Sequence, residues 1–214
     1  MRDTKIKLFL DADDTVLQSS ETIISILNNK YNINPPKSLN DLKDWGFRSI
    51  YKNLTRHDVG ALFESDEFFD KVQISKTFAN FYALNKDKFD VTIVTTGTRE
   101  NLDKKKTYFE KAFGSEMRYV GLPFLKDEFG EYVWNYDKSS VDMQYGIQID
   151  DRIDALRDTN ASLKILIKNG DYHWNQAEYY ANIPNLYVVH SWEEAIQIIL
   201  FAYDNHSIFK RGGL

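Results

Sequence analysis

Two apolar runs that stop in paired acids constrain this chain more than anything else in it. One is Lys7-Leu8-Phe9-Leu10, followed by Asp11-Ala12-Asp13-Asp14-Thr15; the other, far downstream, is Ile147-Gln148-Ile149, followed by Asp150-Asp151. An apolar run of this length bounded by polar residues reads as a buried strand, so each acidic cluster belongs at a strand's carboxyl end. In parallel α/β sheets that edge is where ligands bind. If the clusters meet, carboxylates about 4 Å apart repel by roughly 4 kcal/mol per pair at an effective dielectric of about 20, which a divalent cation would reverse. The pattern asks for a metal.

The remaining composition says which metal and which partners. The chain has no cysteine, so it can form no disulfide, thiolate site or cysteine nucleophile, and any metal is held by oxygen ligands. That favours Mg2+ over zinc. The histidines, His57, His173, His190 and His206, are too scattered for a helical zinc pair, and there is no serine triad or phosphate-cradling P-loop. At 214 residues and 43% apolar, the chain can bury one full core plus a smaller inserted module. A net charge of -5 without a basic stripe argues against an extended nucleic acid as partner, while a small anionic ligand fits. The start, Met1-Arg2-Asp3-Thr4, lacks a signal-peptide pattern, and the longest apolar stretch, 195–203, is too short to span a bilayer. A soluble cytoplasmic protein without a membrane partner is the expectation. Monomer and homodimer are both open.

Periodicity predicts a strand over 5–11, then an amphipathic helix over 22–31 capped by Ser19 or Ser20. Asn34-Pro35-Pro36 breaks that helix, and an aromatic-rich helical stretch runs to about residue 85 with no convincing strand. Its charge is balanced, with eight Lys/Arg and eight Asp/Glu over 18–85. Alternation of strand and helix then resumes: strand 91–95, helix 99–113, strand 118–121. A Gly-containing aromatic segment, 122–137, reads as a hairpin, followed by a short helix from Lys138 or Ser139. Strands 146–150, 163–167 and 186–189 follow, and Ser191 caps a final helix. The fold class is therefore α/β, a Rossmann-like, mainly parallel sheet flanked by helices. Its domains are a core of 1–17 and 86–214, and a helical cap insertion of 18–85.

The order Asp11-x-Asp13-x-Thr15, Thr95 with Thr96, Lys138, then Asp150-Asp151 resembles the haloacid dehalogenase-like phosphohydrolases, over nearly the whole chain. Within that superfamily, three segments look like the 5'(3')-deoxyribonucleotidase family. They are Asp137-Lys138-Ser139 before Ile149-Asp150-Asp151-Arg152, Asp44-Trp45 in the insertion, and Ser191-Trp192-Glu193-Glu194-Ala195. The resemblance implies Asp11 as nucleophile, forming an aspartyl-phosphate, and Asp13 as general acid and base. It implies Mg2+ held by Asp11, the Asp13 carbonyl and the second acid pair, with Asp151 favoured as direct ligand and Asp150 acting through water or orienting a ligand. Thr95 and Thr96 would bind phosphate and Lys138 would neutralise it, Lys126 and Lys164 being weaker candidates.

The insertion has the place of the superfamily's helical cap, which excludes water and selects substrate. Of its aromatics Trp45, Phe47, Tyr51, Phe63, Phe68 and Phe69, most belong to its own core. Trp45 and Phe47 come first as stacking surfaces for a base, worth about 1–3 kcal/mol. Arg152 either touches substrate or makes a salt bridge. The implied activity is hydrolysis of a small phosphate monoester, a nucleoside monophosphate before others. Alternatives are a phosphatase of another small metabolite, a polynucleotide end phosphatase, a receiver-like phospho-acceptor module, or a silent phosphate binder. Two departures stand out: Asp14 where a glycine is common, and the segment 122–137, which has no clear counterpart.

Overall fold

The computed structural model describes residues 5–44, 46–114, 116–128, 132–170, 172–180 and 182–205. A first strand, β1 (Ile6–Leu10), leads into four helices, α1 (Ser19–Tyr31), α2 (Arg56–Glu64), α3 (Asp66–Lys71) and α4 (Lys76–Asn85). Then come β2 (Phe89–Gly97), α5 (Arg99–Phe113) and β3 (Arg118–Pro123), followed by the paired short strands β4 (Leu125–Lys126) and β5 (Tyr132–Val133). The chain closes with β6 (Gly146–Asp150), α6 (Ile153–Arg157), β7 (Leu163–Ile167), β8 (Leu186–Val189) and α7 (Trp192–Asp204). Among the described residues no helix is long and apolar enough to cross a membrane.

Six strands form one sheet in the order β3-β2-β1-β6-β7-β8, and every pairing is parallel. Burial explains the sequence pattern. Residues of β6 and β7 are buried along their whole length, as expected where helices cover both faces of a parallel sheet. The order reverses at β1 and β6, so the switch point where ligands bind in open α/β sheets lies between their carboxyl ends. The register Leu10↔Ile149 brings Asp11 alongside Asp150.

One apolar cluster joins the sheet to the helices that follow β1. Leu8, Leu10 and Ile93 belong to it together with Ile23, Leu27, Val59 and Phe68. Helix α4 contributes Phe78, whose ring lies 5.1 Å from Trp192 of α7 and 5.8 Å from Phe113 of α5.

Helix starts follow local hydrogen bonding. Ser191, Thr98, Ser75, Ser65 and Thr55 each accept from the third residue of the helix they open, as N-caps do. The first helix differs from expectation: it begins at Ser19, and Gln18 stands at its cap without a side-chain bond. Ser19 and Ser20 lie inside the helix with their hydroxyls turned to Asp13 and Asp14. The expected helix after Lys138 is a turn instead. Asp137 accepts from the backbone and hydroxyl of Ser139, both at 2.8 Å, a local bonding mode that competes with helix. The hairpin expected in 122–137 is present as the antiparallel pair β4 and β5.

Gly146 shows how tightly the sheet is packed against what lies beneath it. A Cβ there would sit 2.5 Å from the Phe9 ring and 3.1 Å from the Lys7 carbonyl of the neighbouring strand, which cannot retreat without breaking the ladder. Gly146→Ala should therefore destabilise the fold by about 1–3 kcal/mol. A thermal melt should show the midpoint lowered by about 2–10 °C; an unchanged midpoint would contradict the packing described.

Candidate active site

Asp11 follows the last residue of β1, and its N–H donates to Ile149 O at 2.9 Å, which locks it against β6. Asp150 ends β6 and Asp151 comes next. Carboxylate oxygens of Asp11, Asp150 and Asp151 all lie within 4.8 Å of one another, and all three residues are buried. The Lys138 ammonium bridges two of them, donating to Asp11 and, at 2.7 Å, to Asp150. Burial alone would lower the Lys138 pKa, but the Coulombic pull of Asp11 and Asp150 outweighs it and the ammonium is held protonated. One lysine does not balance three carboxylates. Burial pushes Asp150 up to about 7 despite Lys138, and burial with the charges of Asp14, Asp150 and Asp11 pushes Asp151 well above the carboxylate range. A cluster of buried oxygens with a shortage of positive charge is the donor set a hard divalent cation prefers. Asp11, Asp150 and Asp151 fit Mg2+ in this respect.

Around this group the loop after β1 turns back on itself, with Val16 and Leu17 N–H donating to Ala12 O at 3.0 and 2.8 Å. Asp13 does not join the three carboxylates through its side chain. Instead it accepts from Ser19 Oγ at 2.7 Å and from Lys105 Nζ. Asp14 has φ 53°, the left-handed region that glycine favours, and tolerates it because its carboxylate accepts from Ser20 N at 2.7 Å and from the Ser20 hydroxyl. Burial pushes the Asp14 carboxyl up to about 7 against those hydrogen bonds. The departure from glycine is thus compensated by a serine in the first turn of α1.

Thr95 and Thr96 are buried at the carboxyl end of β2, on the same side of the cleft as Asp11 and Lys138. Gly97 follows, where a Cβ would lie 2.7 Å from Asn101 Oδ1, so the close approach of loop and helix requires glycine. Thr98 caps the fifteen-residue α5, whose positive end therefore opens onto the cleft.

Of the two aromatics expected to stack on substrate, Trp45 lies outside the described residues. Phe47 is 1% exposed within the apolar cluster, with φ 57°, and offers no ring face to the cleft. An aromatic beside a polar turn packs inward here, joining the apolar cluster that also holds Ile23, Leu27 and Tyr51. Arg152 lines the cleft, but its guanidinium is bound to Asp154 at 3.0 and 2.7 Å and stacks 3.7 Å above the Tyr136 ring. The salt bridge expected as one alternative for Arg152 is present.

Several cleft residues escape sequence reading. Lys105 is fully buried and contacts both Asp13 and Thr95 Oγ1, the latter at 3.3 Å. A signal for it exists: Asn101, Lys105 and Phe109 form the buried stripe of α5, and a lysine on such a stripe must have an acidic partner. Phe63, one of the six aromatics named for the insertion, lines the cleft with Gly60 of α2, and so do Phe124, Trp134 and Tyr136 around the hairpin, which the sequence reading did not name. The hairpin aromatics carry no periodicity that would separate them from an ordinary surface loop.

No protein-family model matches the chain, and no curated protein matches it in sequence. Solved structures do. A haloacid dehalogenase-like family hydrolase from Streptococcus pneumoniae aligns with TM-score 0.53 and 12% identity, covering 91% of this chain and 98% of that one. A HAD family hydrolase from Deinococcus radiodurans, with bound phosphate and sodium, aligns with TM-score 0.53 and 14% identity, covering 94% and 97%. A protein from Bacillus subtilis described as a HAD-hydrolase, bound to magnesium, gives TM-score 0.51 and 16% identity over 91% and 98%. At such identities the likeness concerns the fold, which is the haloacid dehalogenase-like one.

The acid cluster predicts its own response to metal. Protons compete with a cation for Asp150, pushed up to about 7, and for Asp151, raised well above the carboxylate range, so the competition grows as the pH falls. Mg2+ should therefore raise the melting temperature more at about pH 8 than at about pH 6, with apparent affinity falling roughly ten-fold or more on acidification. Asp151→Asn should abolish the Mg2+ shift while the metal-free protein still melts cooperatively, since it keeps the side chain's shape and removes a carboxylate from the cluster. Melting curves with and without Mg2+ check both; equal shifts at the two pH values would contradict the coupling.

Proposed function

We propose that this protein is a divalent-metal-dependent phosphatase that hydrolyses small phosphate monoesters, nucleoside monophosphates before others, through an aspartyl-phosphate on Asp11. The observation that carries the reading is the meeting of Asp11, Asp150 and Asp151 with Lys138 at the sheet's switch point, with Asp13 held by Lys105 beside them. The hydrolase fold supports it, and the narrower nucleotide reading rests on the sequence resemblance and on the aromatic walls of the cleft.

In this reading Thr95, Thr96 and the opening of α5 hold the phosphoryl oxygens while Lys138 offsets their charge. An Asp11 carboxylate oxygen attacks phosphorus, the P–O bond to the leaving group breaks in line, and Asp13 delivers a proton to the departing oxygen. Asp13 then takes a proton from water as that water attacks the aspartyl-phosphate, restoring the Asp11 carboxylate and releasing inorganic phosphate. A bound divalent cation, held by Asp11 and Asp151 with Asp150 behind, would screen the negative charge of nucleophile and phosphate from each other. Lys105 is a positioning residue: it fixes the Asp13 carboxylate and touches Thr95, so proton donor and phosphate cradle are set by one cation.

A receiver-like acceptor has no need of a second acid poised to protonate a leaving oxygen and then activate water, and Asp13 is anchored as such an acid is. A halide leaves without a proton, which sets dehalogenation apart on the same ground. Phosphate release across a panel of phosphorylated metabolites with Mg2+ tests the reading. Asp11→Asn keeps shape and loses the nucleophilic charge, so turnover should drop by a factor on the order of 10⁴ or more with the melting curve still cooperative. Chelation should silence the wild type. Full activity in either case ends the mechanism.

A further inference from the structure

The segment without a counterpart, 122–137, makes an element that packing alone does not explain. Among the described residues its two strands pair through two residue couples, Leu125 with Val133 and Lys126 with Tyr132. Such a hairpin is marginal by itself in water. Its outer residues are left to solvent, Leu125 69% and Val133 49% exposed, so no core lies beneath it. Its half-buried aromatics are instead those just outside the ladder, and they line the cleft with the acids.

Both ends of this aromatic group are tied to the candidate active site. Phe124 N–H donates to Gly97 O at 2.7 Å, joining the hairpin's entry to the phosphate loop. Tyr136, at its exit, lies under the Arg152 guanidinium, which Trp174 covers from 5.1 Å, and Arg152 follows the acid pair directly. The ladder register sets Phe124 opposite Trp134, with ring centroids 5.2 Å apart and planes inclined at 35°. The two rings line the same cleft as Asp11 and Thr95. The cleft is also lined by Phe63 of α2, whose carbonyl accepts from Asn101 Nδ2 at 2.7 Å.

We propose that Phe124 and Trp134 form the platform that receives a planar aromatic leaving group, a nucleobase, so that this hairpin and not Phe47 of the helical insertion decides substrate preference. The proposal rests on the phosphatase reading for the meaning of the phosphate end. The water-accessible space in the cleft is about 50 Å³, room for a few water-sized groups, so a base is received by rearrangement of the side chains that line it. Stacking suits this wall because every base has a π-face, whereas an aliphatic ester has none.

The experiment measures two quantities for wild type, Trp134→Ala, Trp134→Phe and Phe124→Leu. One is calorimetric binding of a pyrimidine and a purine nucleoside without phosphate. The other is the ratio of kcat/KM for a nucleoside 5'-monophosphate to that for glycerol phosphate. Loss of one stacked ring should weaken nucleoside binding and lower the ratio by about 5- to 150-fold. Trp134→Phe should recover most of it. Phe124→Leu keeps apolar volume and loses the flat face, so it carries the test if Trp134→Ala does not fold. An unchanged ratio in well-folded variants, or a wild type that binds no nucleoside, overturns the platform. Nucleoside binding that depends on Trp134 without any ester turnover would instead sink the phosphatase reading alone, and turnover blind to the leaving group would sink the platform alone.

Discussion

Mutual repulsion among buried carboxylates is the constraint around which this molecule is arranged. Asp11, Asp150 and Asp151 are brought within contact by the parallel pairing of β1 with β6, which the apolar core enforces regardless of what their charges prefer. Lys138 relieves part of the resulting strain by spanning two of them, and the elevated Asp150 and Asp151 record what remains. Stability is thus conceded at one edge of the sheet, the edge where open α/β sheets bind ligands.

The surroundings extend the same logic outward. Each further acid of the loop has its own partner: Asp13 has Lys105 and Ser19, Asp14 has Ser20. Helix α5 is central to this because its first turn and its buried stripe face the cleft together. Its Thr98 binds Glu64, its Asn101 binds the Phe63 carbonyl, and its Lys104 reaches Glu64 O at 2.6 Å and Asp66 at 2.8 Å. The loop after β2, the Asp13 carboxylate and the end of α2 are therefore tied to one helix, and α2 cannot move without breaking bonds to the helix whose Lys105 contacts Thr95 and Asp13.

Much of this was legible beforehand. Strand positions followed from apolar runs, because strands buried on both faces tolerate few polar residues, and the acids after them marked the ligand edge. Asp11, Asp150 and Asp151 could be grouped for that reason, whereas Thr95 and Lys138 joined them through the family resemblance. Lys105 was within reach of a reading that asked why a lysine occupies a buried helical stripe. Ser19 and Ser20 were misread as caps because a serine before an apolar run bonds equally well to a helix N–H or to a nearby carboxylate, and Asp13 and Asp14 compete for it.

What the sequence determined by itself was the sheet, its order of motifs and the charge that must gather at one edge, since each depends on local apolar patterning or on residue type alone. Tertiary structure alone decided which aromatics face the cleft, which acids share Lys138, and which residue holds Asp13. Those choices turn on contacts between segments distant in the chain: Phe47 points into a core assembled from several helices, while Trp134 lines the cleft beside Phe124, whose N–H is bonded to Gly97 O, and Tyr136, which lies under Arg152. Side-chain direction in such places is set by which neighbour offers apolar surface or an unpaired charge, and periodicity along one segment carries no record of that neighbour.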